Sequence, residues 1–120
     1  MAREGRRFRG GLIDVRVAVR PDGLSRVGFV VPKYGQSAVR RNRLKRVLRD
    51  LTRVRLLGSL RDAGSGLGMD IVMRALPRAY RASDEEIRAA FDELRQRLMR
   101  FLETQNDAAE NTGPIAGRLE

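Results

Sequence analysis

Apolar and polar residues alternate from Leu12 to Arg20, near the start of the chain. The apolar members of this alternation are Ile13, Val15, Val17 and Val19. Successive side chains of a strand point to opposite faces, so the pattern predicts a half-buried β-strand with a polar outer surface. A second strand is predicted from Arg26 to Val31, and the turn signal Pro21-Asp22-Gly23 indicates that the two strands form a hairpin.

The spacing of apolar residues changes to three and four after Ser37, which predicts an amphipathic helix. The apolar stripe of this helix consists of Leu44, Val47, Leu48, Leu51 and Val54. Ser37 is the expected N-cap because its hydroxyl can accept a hydrogen bond from a free backbone N–H. Gly58 is the expected C-cap. Pro32-Lys33-Tyr34-Gly35 would end the preceding strand and turn the chain into the helix.

Two further elements are predicted in the second half of the chain. Asp70 to Leu76 is a short apolar run that favours a strand inside the sheet, and Gly64 to Gly68 before it indicates a loop. Ser83 and Glu86 have capping-box spacing and begin a second helix. The apolar stripe of that helix is Ile87, Phe91, Leu94, Leu98 and Phe101. The order strand-strand-helix-strand-helix predicts an α+β fold, with helices packed on a small mixed sheet.

Positive charge is concentrated in one half of the chain. The formal net charge is +10, and residues 1–61 contain 17 of the 25 basic side chains but only 4 of the 15 acidic ones. The side of the first predicted helix opposite its apolar stripe carries Asn42, Lys45, Arg46, Arg49 and Arg53. Helical turns rise about 5.4 Å, which is comparable to the spacing of phosphates along a nucleic acid. A solvated helix face is the alternative, although such faces usually mix charges of both signs.

The composition argues against catalysis by the protein itself. The chain has no histidine, the commonest acid-base catalyst near neutral pH, and no cysteine for a thiolate metal site. The carboxylates of the basic half show no convergent spacing of the kind that a two-metal nuclease needs. No apolar run is long enough to span a membrane and no signal peptide is recognisable, so we expect a cytoplasmic protein without a membrane partner.

The apolar residues at the two ends of the chain show no clear helical or strand periodicity. Residues 1–11 are basic and glycine-rich, which predicts a flexible N-terminal arm in which Phe8 either covers the core or stacks on a base. Residues 104–120 have few large apolar side chains and predict a disordered tail. A single domain is therefore expected over residues 1–103.

The segment from Arg41 to Arg49 reads R-N-R-x-K-R-x-x-R. Together with Arg26 to Lys33 and Ala38-Val39, it resembles the bacterial ribonuclease P protein component. The resemblance extends from about Gly5 to the helix after Asp70–Leu76. The motif is specific, because a generic basic helix does not require an asparagine at a fixed place within an arginine cluster.

This resemblance implies the protein subunit of an endoribonuclease that is a ribonucleoprotein. The subunit would bind the ribonuclease P RNA and the 5′ leader of precursor tRNA, and would assist removal of the leader in tRNA maturation. The RNA, with magnesium ions that it mainly holds, would cleave the phosphodiester bond. A protein monomer in a one-to-one ribonucleoprotein is expected. The implied fold is a sandwich like the second domain of ribosomal protein S5, with a left-handed strand-helix-strand crossover against the usual rule.

The resemblance also implies two sets of RNA-binding residues. Those for the catalytic RNA are Lys33, Arg40, Arg41, Asn42, Arg43, Lys45, Arg46, Arg49 and Arg53. Those for the leader cleft beside the sheet are Phe8, Asp14, Arg16, Ala18 and Tyr34.

Two departures from the family pattern concern the leader cleft. Relatives usually begin with a further helix that forms one wall of the cleft, whereas only four residues precede Gly5 here. Tyr34 stands where a second basic residue is common. We therefore expect either a true start upstream of Met1 or a weaker contact with the leader.

Two other functions are compatible with the pattern. A structural RNA-binding protein of ribosomal type could have the same architecture, and it would co-purify with ribosomal RNA. An autonomous nuclease would cleave precursor tRNA without added RNA, although the expected catalytic side chains are missing.

Overall fold

The structure, a computed structural model, describes residues 5–62 and 67–118. Its strands are β1 (Arg6–Arg9), β2 (Ile13–Arg20), β3 (Arg26–Val30) and β4 (Gly68–Ala75). Its helices are α1 (Ala38–Leu51), α2 (Leu57–Asp62) and α3 (Asp84–Arg118), with a π-helical segment at Thr52–Leu56 and a 3-10 turn at Pro77–Arg81. The four strands form one mixed sheet, which confirms the predicted α+β class.

Strand β4 lies between β2 and β3 in the order β1-β2-β4-β3, antiparallel to β2 and parallel to β3. The predicted interior position of this strand is confirmed, whereas the predicted hairpin of β2 and β3 is wrong. The connection between β2 and β3 passes over the start of β4, where a Cβ atom on Gly68 would lie 2.1 Å from the carbonyl oxygen of Leu24. Ser25 Oγ accepts a hydrogen bond from the Met69 N–H at 3.1 Å, which holds the connection against the start of β4.

Arginines on both neighbouring strands bind Asp70 of β4. Arg26 Nε donates to Asp70 Oδ1 at 2.9 Å, and Arg20 Nη1 donates to the same carboxylate at 3.3 Å. The hydrogen bond from Arg26, which has the larger effect, and that from Arg20 hold the pKa of Asp70 below its ordinary value. The ion pairs therefore connect three adjacent strands at one end of the sheet.

Helices α1 and α3 pack on one face of the sheet and form the core with it. The strands contribute Ile13, Val15, Val17, Met69, Ile71 and Met73, and the helices contribute Leu44, Leu48, Ile87, Phe91, Leu94, Leu98 and Phe101. All five apolar positions predicted for α3 are buried, and the predicted capping box is present. The Ser83 hydroxyl accepts from the Glu86 N–H at 3.1 Å, and Glu86 accepts from the Ser83 N–H at 2.8 Å.

The helix that begins at Ala38 changes its winding at Thr52 and continues through Gly58, so the predicted C-cap is wrong. In an α-helix, side chains four residues apart are rotated by about 40° relative to each other around the helix axis. The wider turn of the π-helical segment offsets this rotation. Thr52 and Leu56 consequently follow Leu48 into the core. Val54 was predicted to be part of the apolar stripe, but its side chain is 66% exposed.

The basic N-terminal segment is not a flexible arm where the structure describes it. Residues Arg6–Arg9 pair antiparallel with β2, and the register places Phe8 opposite Val15 on the core face. Phe8 packs edge-to-face on Phe101 with ring centroids 6.0 Å apart. Phe8 therefore covers the core, which was one of its two predicted roles.

The C-terminal segment is helical up to Arg118, where a disordered tail was predicted from residue 104. The sequence contains no glycine or proline between Ser83 and Gly113, so nothing in the backbone stops α3 after its packed part. Most of the loop predicted at Gly64–Gly68 lies outside the described residues, and Gly68 itself begins β4. Parallel strands β3 and β4 joined through α1 form the expected crossover, whose left-handed sense stays a prediction.

Candidate nucleic-acid interface

The N-terminus of α1 is held against one end of the sheet. Ser37 Oγ accepts from the Arg40 N–H at 3.2 Å, which confirms the predicted N-cap. The preceding turn has positive φ at Tyr34 (49°) and Gly35 (80°), and the Tyr34 hydroxyl donates to the Ala75 carbonyl at 2.9 Å. Since a positive φ is costly for a residue with a side chain, this bond holds Tyr34 in a conformation that it would otherwise avoid.

Arg40 and Arg41 also fasten this end of the helix. Arg40 donates to the Gln36 side chain and, at 2.8 Å, to the Tyr80 carbonyl. Arg41 Nε donates to the Val31 carbonyl at 2.7 Å. Part of the donor capacity of these two predicted RNA-binding residues is thus used within the protein.

The next turns of α1 present polar side chains that have no protein partner. Within the described ranges, no side-chain hydrogen bond or ion pair is formed by Lys33, Asn42, Lys45, Arg46 or Arg49. We call Asn42, Lys45, Arg46 and Arg49 the cationic face of α1. The first turn of α1 contains no acidic residue, so the positive end of the helix dipole adds to the field of these side chains.

Two other predicted residues form exposed ion pairs. Arg43 Nη2 lies 3.0 Å from Asp84 Oδ1, and Arg53 Nη2 lies 3.2 Å from Asp50 Oδ1. Solvent-exposed pairs of this kind contribute little to stability. A phosphate can therefore replace either carboxylate at small cost.

The sheet face opposite the helices forms a second surface, which we call the open sheet face. Its central part consists of Arg7, Asp14, Arg16, Ala18, Gly28, Val30, Val72 and Arg74. The register aligns Arg7, Arg16, Val72 and Gly28 across all four strands. A depression of about 490 Å³ lies over Ala18, Gly28 and Val72, and the Val72 side chain is 41% exposed. The charged residues around this apolar floor are Arg16, Arg26 and Asp70.

The structure brings together only part of the predicted leader cleft. Asp14, Arg16 and Ala18 share the open sheet face. Phe8 lies on the opposite face against Phe101, and the Tyr34 hydroxyl is bonded at the end of β4. Neither aromatic residue lines the depression.

Sequence reasoning missed Arg7 and Arg74 on this face. Arg74 alternates with the buried Met73 and Ala75, and Arg7 alternates with Phe8. The period of two was therefore present in both segments. The segment around Arg7 resembles a flexible arm because it is basic and glycine-rich, and the mostly apolar segment around Arg74 favours a strand inside the sheet, so neither segment alone indicates an exposed face.

The fold and these surfaces define a class, namely small α+β proteins with a basic helix packed on a mixed sheet. None of the helices in the described residues could cross a membrane. A family model described as Ribonuclease P matches residues 1–99. The chain belongs to the ribonuclease P protein family.

Individual relatives agree with this assignment. The ribonuclease P protein component of Kocuria rhizophila is 44% identical over 81 residues, which cover 66% of this chain and 66% of that protein. That of Acidothermus cellulolyticus is 39% identical over 108 residues, 87% of this chain and 81% of the relative. The solved ribonuclease P protein from Thermotoga maritima is 26% identical with a TM-score of 0.63, covering 78% of this chain and 84% of that one. The match to the Kocuria protein thus spans just under two thirds of its length.

Proposed function

We propose that this protein is the protein subunit of ribonuclease P and assists removal of the 5′ leader from precursor tRNA. The cationic face of α1 is the observation that carries the proposal. Its side chains have no partner in the described protein, while the apolar side of the same helix is fixed in the core by Leu44 and Leu48. A rigid row of free cations is suited to hold the backbone of a folded RNA.

The catalytic RNA subunit would bind along α1. Lys45, Arg46 and Arg49 would neutralise phosphates and release counterions, which lowers the repulsion between the two RNA molecules of the complex. The Asn42 amide can both donate and accept, so it can bind a base edge or a 2′-hydroxyl. Arg43 and Arg53 would exchange their exposed carboxylate partners for phosphates.

The single-stranded leader of precursor tRNA would bind on the open sheet face. Val72, Ala18 and Gly28 offer apolar contact to base faces, which does not depend on sequence. Arg16 lines this floor, and Arg7 and Arg74 line an adjoining depression that shares Arg16 and Val72 with it. Guanidinium groups can bind phosphate with two parallel hydrogen bonds. Asp14 would limit the orientation of the leader, because its negative charge repels phosphates. The Asp14 side chain is fixed by a hydrogen bond that it accepts from the Gly10 N–H at 3.1 Å.

Magnesium would supply activation of water and stabilisation of the leaving oxygen when bound to the complex. In this chain the neighbouring carboxylates Asp22 and Asp70 are already bound by arginines. Arg20 Nη2 lies 2.5 Å from Asp22 Oδ2, and Arg26 Nε lies 2.9 Å from Asp70 Oδ1. Asp70 connects strands through its arginines, and Asp22 pairs with Arg20 two residues away, so both carboxylates are neutralised by arginines and we assign the metal to the RNA.

Reconstitution of leader cleavage tests the proposal. We expect no cleavage of precursor tRNA by the protein alone, and faster cleavage when the protein is added to ribonuclease P RNA at low magnesium. Arg46→Ala/Arg49→Ala should reduce the affinity for the RNA and decrease the log-log salt slope by about 1.4 to 1.8, because about 0.7 to 0.9 is lost per phosphate contact.

The matched control is Arg78→Ala/Arg88→Ala. It removes the same charge from exposed side chains that have no described partner and lie outside α1. Cleavage by the protein alone would contradict the proposal. Equal salt slopes for wild type and Arg46→Ala/Arg49→Ala would contradict the proposed role of α1 in binding the catalytic RNA.

A further inference from the structure

A third basic surface lies at the β1 edge of the sheet, on the side covered by α3. We call it the edge patch. It surrounds an open depression of about 400 Å³ lined by Arg6, Phe8, Arg97, Arg100, Phe101 and Thr104. None of these residues belongs to the cationic face of α1 or to the open sheet face.

Arg6 is held in place by aromatic rings. Its guanidinium carbon lies 5.5 Å from the centroid of Phe8 and 5.8 Å from that of Phe101. Contact with the face of an aromatic ring orients a guanidinium and leaves its in-plane N–H groups available. In the described residues these N–H groups have no acceptor, so Arg6 is oriented by apolar contact and free to donate.

Two arginines of α3 complete the patch. Arg97 Nη1 donates to the Arg9 carbonyl at 3.1 Å, which fixes this cation against β1. Glu93 offers only a long contact, with its Oε2 3.7 Å from Arg97 Nη2. Arg100 is exposed, and it forms no ion pair with any residue that the structure describes. Three cations thus lie around one depression, and among the residues that the structure describes their one ion pair is the long contact with Glu93.

The edge patch lies far from the N-terminal turns of α1, whereas the segment that follows α1 approaches it through Arg55, whose Nη1 lies 2.8 Å from Asp92 Oδ2. Arg43 of α1 contacts Asp84 at the start of α3, and Arg100 follows 16 residues later in the same helix. At 1.5 Å per residue this separation is about 24 Å. β1 and β3 are also the opposite edges of the sheet.

We propose that the edge patch binds phosphates of a second RNA segment, distinct from the one that lies on α1. This inference depends on the proposed function, since it assumes that the partners are RNA. Arg6 and Arg100 would donate to phosphate oxygens, while Arg97 adds a fixed positive charge. The same phosphate chemistry is present in the ribonuclease P RNA and in precursor tRNA.

Binding measurements with Arg6→Ala/Arg100→Ala test the proposal and identify the source of the phosphates. One arm titrates the full chain with a ribonuclease P RNA transcript, and the other adds precursor tRNA to the complex. The log-log salt slope should fall by about 1.4 to 1.8 in the arm whose RNA contacts the patch. Arg78→Ala/Arg88→Ala is again the charge-matched control, and Arg100→Glu tests the patch without removing the ring contacts of Arg6.

Site-directed cross-linking gives an independent measurement, because the chain has no cysteine. A photo-cross-linker on Thr104→Cys should label RNA nucleotides different from those labelled from Lys45→Cys. Labelling from Lys45→Cys alone, with unchanged salt slopes for Arg6→Ala/Arg100→Ala and Arg100→Glu, would overturn the edge patch and leave the proposed function intact. Absence of labelling and of RNA binding in every arm would overturn both.

Discussion

The arginines of this chain have different roles that their positions in the sequence do not distinguish. Arg41 and Arg46 both belong to the basic motif, yet Arg41 donates to the Val31 carbonyl, whereas Arg46 has no partner in the described chain. Arg20 and Arg26 contribute to the net positive charge, but they hold Asp70. Net charge therefore overestimates the number of cations that are free for RNA.

Replacement of Asp70 should reveal the structural role of these arginines through pH. Hydrogen bonds from Arg26 and Arg20 lower the pKa of Asp70, so its stabilising contribution is fully present above the ordinary value of 3.8. It is lost as the pH falls through the lowered pKa. We expect Asp70→Asn to have a smaller free energy of unfolding than wild type at pH 7 and a weaker loss in acid.

Urea denaturation between pH 7 and about pH 2 measures both effects. Glu103→Gln is the control, because it removes an exposed carboxylate that has no described arginine partner. If Asp70→Asn and wild type gave the same unfolding free energy at every pH, the strand-connecting ion pairs would contribute nothing.

At the scale of elements, the π-helical segment decides which side chains of the basic helix enter the core. The pattern of threes and fours predicts Val54 as buried, but the wider turn places Leu56 there instead. Thr52 Oγ1 donates to the Leu48 carbonyl at 2.9 Å, which satisfies the polar atom of the one residue in this stretch that is both polar and buried. A pattern based on 3.6 residues per turn cannot show such a change.

Two alanine substitutions distinguish the π-helical segment from a regular helix. Leu56→Ala should reduce the free energy of unfolding by about 2 to 5 kcal/mol, because the Leu56 side chain is 0% exposed. Val54→Ala should change it by no more than about 0.5 kcal/mol, because Val54 is 66% exposed. Chemical denaturation of both variants gives the comparison. The reverse order would indicate an uninterrupted α-helix.

The sequence predicts individual elements better than their arrangement. Local signals were sufficient for the Ser37 N-cap, the Ser83 capping box and the alternation in β2, because the interactions that cause them span only a few residues. The insertion of β4 between β2 and β3 depends on contacts between residues more than forty positions apart, such as Ser25 with Met69. Nothing in the Pro21-Asp22-Gly23 turn itself indicates that this connection crosses another strand.

The candidate site was predictable to a similar extent. The cationic face of α1 follows from helical periodicity alone, and its side chains are where the sequence placed them. The open sheet face and the edge patch require the sheet order, which brings Arg7 beside Arg16 and Arg6 beside Phe101. Surfaces built from one element are visible in the sequence, whereas surfaces built from several elements are not.

At the scale of the whole molecule, helices on one side leave the open sheet face for a separate ligand. We therefore predict that the two proposed RNA contacts can be weakened independently. Arg16→Ala/Arg74→Ala should lower the affinity of the assembled complex for precursor tRNA with a leader by about tenfold, equal to about 1.4 kcal/mol. The affinity for tRNA without a leader should stay unchanged, because its phosphates do not reach the sheet.

The comparison with α1 completes this test. Arg46→Ala/Arg49→Ala should weaken binding of the catalytic RNA whether or not a leader is present, since these side chains lie on the helix and not on the sheet. Binding of the catalytic RNA is titrated directly, whereas the leader measurements use the complex assembled at saturating RNA, so that loss of assembly is not mistaken for loss of leader contact. Equal effects of Arg16→Ala/Arg74→Ala on both tRNA substrates would mean that the leader does not bind the open sheet face. Because the two surfaces share the core but no side chain, a defect in one can reach the other only through unfolding, which the denaturation measurements would detect.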